Sequence, residues 1–416
     1  MKSLRNALLL LLTIIPFAYC NATSIADIAA NYSQHKISVD SLLNYINSPA
    51  NANEVYWWSI YNSEKGDPMA VYILGKCFIA EIGIHRDEAK AKQLFEQAYN
   101  KGVDDAIVDL GRIYLNGWGV DKDIEKGKQL LRQAVSKNVA RGFESLGWYY
   151  FDEEKDYPKA LSSFRKAFDA GYIGSLVDVG YMYENGYGVE KDIAQAFNLY
   201  LKAADNGNGY GLYNVGIFYE KGLYVDQDHE KALRYYLTAD TKGIAQAAYK
   251  IGYLKQYGDI NQDINYEDIA KWYEKSTKRD CIPAKVELAF LQLDGLGVPK
   301  NQEEAIATFE EVGSQNVSSL GALRIAECLL KNNPAKSLFW AKAAYDKADD
   351  YISTAESTKL LGLLYLKGGK EIYDYNLAVK HLREGAEMDQ PECIELMKAL
   401  GEPFEQQEPT ISIRVK

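Results

Sequence analysis

Small and apolar positions along the chain form a block that recurs about every 36 residues. A small residue stands at Ala70, Ala106, Gly142, Ser175, Gly211, Ala247, Ala284, Gly321, Ser357 and Cys393, at intervals of 36, 36, 33, 36, 36, 37, 37, 36 and 36. Five residues after each comes a second small residue: Gly75, Gly111, Gly147, Gly180, Gly216, Gly252, Ala289, Ala326 and Gly362. Only the last, partial block breaks the rule, at Lys398. Two small side chains about one and a half helical turns apart let a neighbouring helix come close, so the double ladder predicts the contact face of a first helix in every block.

A third ladder marks a second helix. Asp87, Asp123, Asp156, Asp192, Asp228, Asn265, Asn301 and Asp374 recur at nearly one place in the frame, and short acceptor side chains of this kind cap the free amides of a helix start. The aspartates also suit the positive end of the helix dipole. An amphipathic run follows each, as in Ile193 to Asp205, where Ala196, Tyr200 and Ala203 fall at helical spacing. The second helix then closes at Gly102, Asn138, Gly171, Gly207, Gly243, Asp280 and Asn316, where a left-handed cap is expected. Between the helices lies a glycine loop, as in residues 116–120 (Asn-Gly-Trp-Gly-Val), 185–189 and 294–298.

A period of this length in a 416-residue chain without a Pro-, Gly- or Ser-rich linker predicts a solenoid. The predicted fold is all-α, each block being a helix, a glycine loop, a second helix and a cap. Residues 1–22 read as a signal peptide, 23–54 as an N-terminal helical cap, 55–400 as about nine repeats, and 401–416 as a polar tail. The pattern slips twice. Asp152 to Lys155 replaces one glycine loop, in the 33-residue block. Near Asn332-Asn333-Pro334 another loop is missing, the second helix starts early, and the lost length returns at Asp346 to Asp350. Pro391 to Leu400 reads as a lone capping helix, since a solenoid end needs a polar outer face.

Residues resembling one family appear at this point. The run from Val179 to Val189 (Val-Gly-Tyr-Met-Tyr-Glu-Asn-Gly-Tyr-Gly-Val), followed by Asp192, Ala196, Tyr200, Ala203, Ala204 and Gly207, resembles the consensus of the Sel1-like repeat family, relatives of tetratricopeptide repeats with a longer inter-helix loop. The resemblance implies a right-handed superhelical solenoid of antiparallel helix pairs, adaptor roles in export, envelope assembly, signalling control or host contact, and no shared reaction.

Charge and the N-terminus narrow the partner. The formal net charge is -11 with no long Lys/Arg run, which argues against attraction to nucleic acid or anionic lipid. Lys2 and Arg5 precede an apolar core, Ala7 to Ala18, too short to span a bilayer and typical of a secretory signal. Cleavage after Cys20 or Ala22 fits the small residues required there; Tyr19 is bulky for a lipoprotein site. No later run is apolar enough to span, so a periplasmic or secreted bacterial monomer is expected.

Candidate chemistry is sparse. Four histidines, His35, His85, His229 and His381, lack metal-binding spacing and read as solvated surface groups. Asp121 to Glu125 starts like a calcium loop, but Lys126 and Arg132 stand where glycine and glutamate are required. Ser33 to Lys36 and Ser163 to Lys166 have Ser-x-x-Lys spacing without the companion motifs of β-lactam enzymes. No catalytic residue, metal or cofactor is therefore assigned. The resemblance also brings in exported relatives with a disulfide in every repeat and claimed β-lactam chemistry, the second functional reading. Here no repeat carries two cysteines at matching helix positions; Cys77 and Cys328 share a frame position but lie seven repeats apart, Cys281 and Cys328 are offset by about ten frame positions, and these with Cys393 read as small core residues.

By analogy with tetratricopeptide repeats, the first helices line a concave groove, into which residues three before and one after the second ladder point. That nominates Tyr72, Arg112, Trp148, Tyr181, Tyr213, Tyr249, Tyr253 and Phe290 for a protein or peptide partner. Aromatic side chains and arginine are favoured as binding anchors, although rings at helical spacing also seal helices together.

Overall fold

The protein is described by a computed structural model covering residues 24–34, 39–46, 51–260 and 263–402. The signal segment, the cysteine at its end, His35 and the tail beyond 402 lie outside the described residues. Every described element is helical. Two compact units are present, one reaching to Ala247 together with Asp259 and Ile260, the other formed by the remaining residues.

The described residues open with three helices: α1 (Ile25–Ser33), α2 (Val39–Ile46) and α3 (Ala52–Glu64). Pairs of a first and a second helix follow. In the first unit they are α4 (Pro68–Ala80) with α5 (Glu88–Asn100), α6 (Asp105–Asn116) with α7 (Ile124–Ser136), and α8 (Ala140–Asp152) with α9 (Tyr157–Asp169). After these come α10 (Ser175–Asn185) with α11 (Ile193–Asp205) and α12 (Gly209–Lys221) with α13 (His229–Thr241). Helix α14 (Ala245–Tyr257) spans the division between the units. In the second unit lie α15 (Tyr266–Thr277), α16 (Ile282–Asp294), α17 (Gln302–Val312), α18 (Ser319–Leu329), α19 (Pro334–Asp346), α20 (Tyr351–Lys367), α21 (Tyr375–Glu387) and the closing α22 (Pro391–Leu400).

The three ladders have separate jobs. Every residue of the first ladder is buried. Gly142 and Gly211 meet the second helix of the preceding repeat, where a Cβ would stand 2.8 Å from Ala134 and 2.7 Å from Ala203, whereas one on Gly321 would stand 2.8 Å from Phe290 on the preceding first helix. The second ladder faces the second helix of its own repeat. A Cβ on Gly180 would lie 2.7 Å from the Tyr200 ring, on Gly216 2.6 Å from Tyr236, and on Gly252 2.6 Å from Tyr273. Each glycine is thus a notch in which one large side chain, eight residues after the helix cap, is seated. All eight capping residues accept a hydrogen bond from the amide three residues on, at 2.8 to 3.1 Å.

A further rule joins the seated side chain to the first helix. Where it is tyrosine, the residue four after the notch is polar and takes the phenol: Tyr200 Oη donates to Glu184 at 2.7 Å, Tyr236 to Glu220, and Tyr273 to Gln256 at 2.8 Å. Where it is Phe95, Leu131, Phe164, Phe309 or Leu382, that residue is Ile79, Leu115, Phe151, Leu293 or Leu366. A buried hydroxyl without a partner is costly, and the chain supplies an acceptor only where there is a hydroxyl.

The glycine loops depend on backbone freedom. Gly186 and Gly188 hold φ at 75° and 67°, a region costly for residues with a side chain. Gly188 also lies against the first turn of α9, where a Cβ would be 2.6 Å from the Tyr157 carbonyl carbon. Each loop of this type therefore rests on the preceding repeat.

Four expectations need correction. Asn316 is not a left-handed cap: Gly313 (φ 79°) ends α17 earlier, a 3-10 turn follows, and Asn316 instead donates its side-chain amide to the Val312 carbonyl at 2.6 Å. The length returned after the early α19 is only partly loop, because Asp350 caps an α20 of 17 residues and Ser357 stands more than a turn inside it. His381 is buried, its ring stacked on Tyr365 and edge-on to Tyr345. Cys328 is exposed while Cys281 is half-buried, and only Cys77 and Cys393 are core residues. The short Cys328 side chain lies among the charges of Asp294, Lys300, Arg324 and Glu327 and stays at the surface.

Candidate partner-binding surface

Within each unit the first helices of successive repeats touch, α6 on α8, α10 on α12 and α18 on α20. The nominated side chains fall on these helices. At the start of the first unit the face is closed. Tyr72 is fully buried, donates to Asp109 Oδ2 at 3.0 Å and accepts from Arg141 Nη1 at 2.8 Å. Arg141 grips both oxygens of Asp109 at 3.1 Å, and Lys76 adds a contact at 3.2 Å. Burial alone would raise the Asp109 carboxyl, but Arg141 and Lys76 outweigh it and hold its pKa well below the usual range. Tyr32, at the end of α1, donates to Asp105 beside this cluster. Helix α1 thus occupies this end, and Tyr72 has no surface to offer a partner.

Further along the same unit the face opens. Arg112 on α6 and Trp148 on α8 line one pocket of about 340 Å³ with Glu144, Trp118, Asp152 and Glu153. Trp148 contacts Tyr181, ring centroids 6.5 Å apart, and Phe151 and Tyr187 complete a ring cluster around Tyr181, which is 37% exposed. Asp178 lies behind Trp148. Burial first, and the Glu144 charge second, push its carboxyl well above the usual range, against the pull of the Trp148 indole and Arg112. Tyr213 is half-buried with its ring 5.6 Å from the seated Tyr236, a sealing role.

In the second unit Tyr249, Tyr253 and Tyr257 follow one another along α14, centroids 6.0 and 5.0 Å apart, and Tyr249 leans on the seated Tyr273. Phe290 is nearly buried, packed on Phe309 at 4.7 Å and covered by the Arg324 guanidinium at 4.8 Å. The nominated set therefore divides into sealed residues (Tyr72, Phe290), half-buried rings (Tyr213, Tyr249, Tyr253) and an accessible group in which Arg112 and Trp148, half-buried themselves, line the open pocket beside the exposed Tyr181. No described group of three or more His, Cys, Asp or Glu could hold a metal ion. No helix among the described residues is long and apolar enough to cross a membrane.

Nine segments, residues 68–103, 104–139, 145–172, 174–208, 209–239, 245–281, 282–307, 327–349 and 355–390, match the Sel1 repeat model. The chain belongs to the Sel1 repeat family. Among solved structures it is similar to a protective antigen of uropathogenic Escherichia coli displaying the Sel1-like repeat fold, at 23% identity and TM-score 0.56, over 92% of this chain and 85% of that one. It is also similar to a Sel1 repeat protein from Oxalobacter formigenes (22% identity, TM-score 0.43, 62% and 97% covered). An immunity protein from Pseudomonas aeruginosa is a third (24%, 0.38, 51% and 78%). No curated protein matches. Sel1 repeat proteins are generally protein-interaction scaffolds and typically non-catalytic, and nothing in these likenesses supports the β-lactam reading.

Sequence reasoning missed one line of residues on these Sel1 repeats. Two positions before the second ladder stand Asp109, Asp178, Glu287 and Arg324, charged residues set into the otherwise apolar first helices. In the second unit burial raises the Glu287 carboxyl, against a Tyr257 hydroxyl at 3.1 Å and the Arg324 charge. The signal was present as polar interruptions of an apolar stripe.

Proposed function

We propose that this Sel1 repeat protein is an exported scaffold that holds a protein or peptide partner on its first-helix face in a bacterial envelope, where it regulates an enzyme, a sensor or a secretion system. The observation that carries the reading is the accessible group of Arg112, Trp148 and Tyr181: two touching aromatic rings beside an open pocket with charged walls. Interface anchors have this composition. Export rests on the charged, then apolar N-terminal segment read from the sequence.

The test compares the mature protein with a Trp148→Ala/Tyr181→Ala variant as bait for crosslinked envelope extract. A protein held by the wild type and lost roughly tenfold or more by the variant, at unchanged Tm, is the expected result, in keeping with removal of aromatic anchors. Equal retention by both baits would refute the assigned face. Intact mass of native protein should begin at Asn21 or Thr23; a chain retaining Met1 would refute export by signal cleavage.

A further inference from the structure

The pocket between α6 and α8 is lined by charges of both signs. Arg112 comes from α6 and Glu144 and Asp152 from α8, with Glu153 following it. Glu144 accepts a hydrogen bond from Ser145 Oγ at 3.1 Å, and neither it nor Arg112 forms an ion pair within 4.0 Å among the described residues. Three carboxylates and one guanidinium line the pocket, and of the three carboxylates only Glu153 has a lysine partner among the described residues, Lys122 at 3.1 Å. The pocket is therefore short of positive charge.

Its aromatic wall is incomplete in the same sense. Cations repeatedly cover rings in this chain: Lys126 lies 4.0 Å from the Tyr114 centroid, Lys128 4.9 Å from Tyr149, and Arg86 5.6 Å from Trp118. No Lys or Arg among the described residues covers Trp148 in this way, and Trp148 lines the pocket beside Glu144. A cation over an indole and next to a carboxylate gains from both contacts.

We propose that this pocket receives a lysine or arginine side chain of the bound segment, its charge meeting Glu144 and its stem lying on Trp148. The inference rests on the scaffold reading and adds the chemistry of the partner. Arg112 then faces the backbone carbonyl next to that side chain, where a donor is useful. The chain's net charge of -11 draws a basic segment toward it. A carboxylate-bearing segment seated on Arg112 is the competing occupant, and it would share the pocket with Glu144, Asp152 and Glu153.

A phage-displayed library of random dodecapeptides, panned on the immobilised mature protein, tests this. Peptides enriched on the wild type should share a Lys or Arg at one position, and replacing it with Ala in a synthetic copy should weaken binding at least tenfold. Panning on Glu144→Gln should lose that preference at unchanged Tm. Panning on Glu303→Gln, which removes the same charge at an exposed position on α17, should keep it. Enriched peptides with no shared basic position, with a shared acidic one, or with a basic preference that survives Glu144→Gln would overturn the proposal and leave the scaffold reading standing. Failure to enrich any peptide would count against both.

Discussion

Replacing Tyr200 with Phe, Glu184 with Leu, and both together tests how the helix pairs are specified. The Tyr200 ring is 1% exposed and sits in the Gly180 notch, with its hydroxyl 2.7 Å from Glu184 Oε2. Burial, then Glu184, raises the phenol pKa, so the hydroxyl is the donor at all ordinary pH. A hydrogen bond to a charged group contributes about 1.5–3 kcal/mol net. Glu184 is only half-buried and water can partly replace the phenol, so Tyr200→Phe should cost about 1–2 kcal/mol. Glu184→Leu leaves a buried hydroxyl without its acceptor, at about 1–3 kcal/mol. The double variant recreates the Phe/apolar pairing found at Phe95 with Ile79 and at Phe309 with Leu293, so it should cost at most about 1 kcal/mol where the single losses sum to about 2–5, a coupling of about 1–5 kcal/mol. Because repeat arrays need not unfold in one step, the readout is hydrogen exchange of peptides from α10 and α11 in increasing urea. Additive losses in the double variant would refute the rule.

Other outcomes follow from the same structure. Arg141→Met leaves Asp109 buried without its main counter-charge and should destabilise by about 3–5 kcal/mol, lowering the urea midpoint for α6 and α8; a change below about 1 kcal/mol would mean that water reaches Asp109. Burial lowers the His381 pKa despite Glu384 at 3.1 Å, so the unfolded chain, with its histidine pKa near ~6.5, binds the proton more readily than the folded one. Stability is therefore complete above about pH 6.5 and falls as pH drops below it; exchange of α20 and α21 should accelerate on acidification, and His381→Gln should flatten that response. Native protein treated with iodoacetamide should be alkylated first at Cys328, whereas Cys77 and Cys393, whose thiols burial pushes up to about 12 and about 11, should react only after denaturation. Peptide mass mapping reads the order, and early labelling of Cys77 would contradict the packing.

What the chain spells out locally was legible, and what it assembles from distant helices was not. Helix starts were readable because a cap is a contact over three residues, as at Asp192 with Gln195. The ladders were readable because close packing admits so few residue types at Gly180 or Gly216. The tyrosine rule was also readable in principle, since Tyr200 and Glu184 recur at fixed places in the frame, but it becomes visible only when the ring is seen to cross the notch. The Tyr72–Asp109–Arg141 cluster joins residues 32 and 37 positions apart on three helices, and no local pattern announces it. For the same reason Tyr72 was nominated as a contact: its frame position matches Glu144, but only here does Arg141 take up the hydroxyl. Cys328 shows the opposite limit, where a core frame position carries a side chain too short to leave its charged neighbours.

A partner seated on the first-helix face must lie within reach of position 181. A photo-crosslinking amino acid placed at Tyr181, and in separate molecules at Lys166 on α9 and Lys202 on α11, both exposed on second helices, tests that placement most directly. Irradiation in living cells should give one discrete protein adduct from position 181 and none from 166 or 202. Adducts of equal yield from all three positions, or from the second helices alone, would contradict the account.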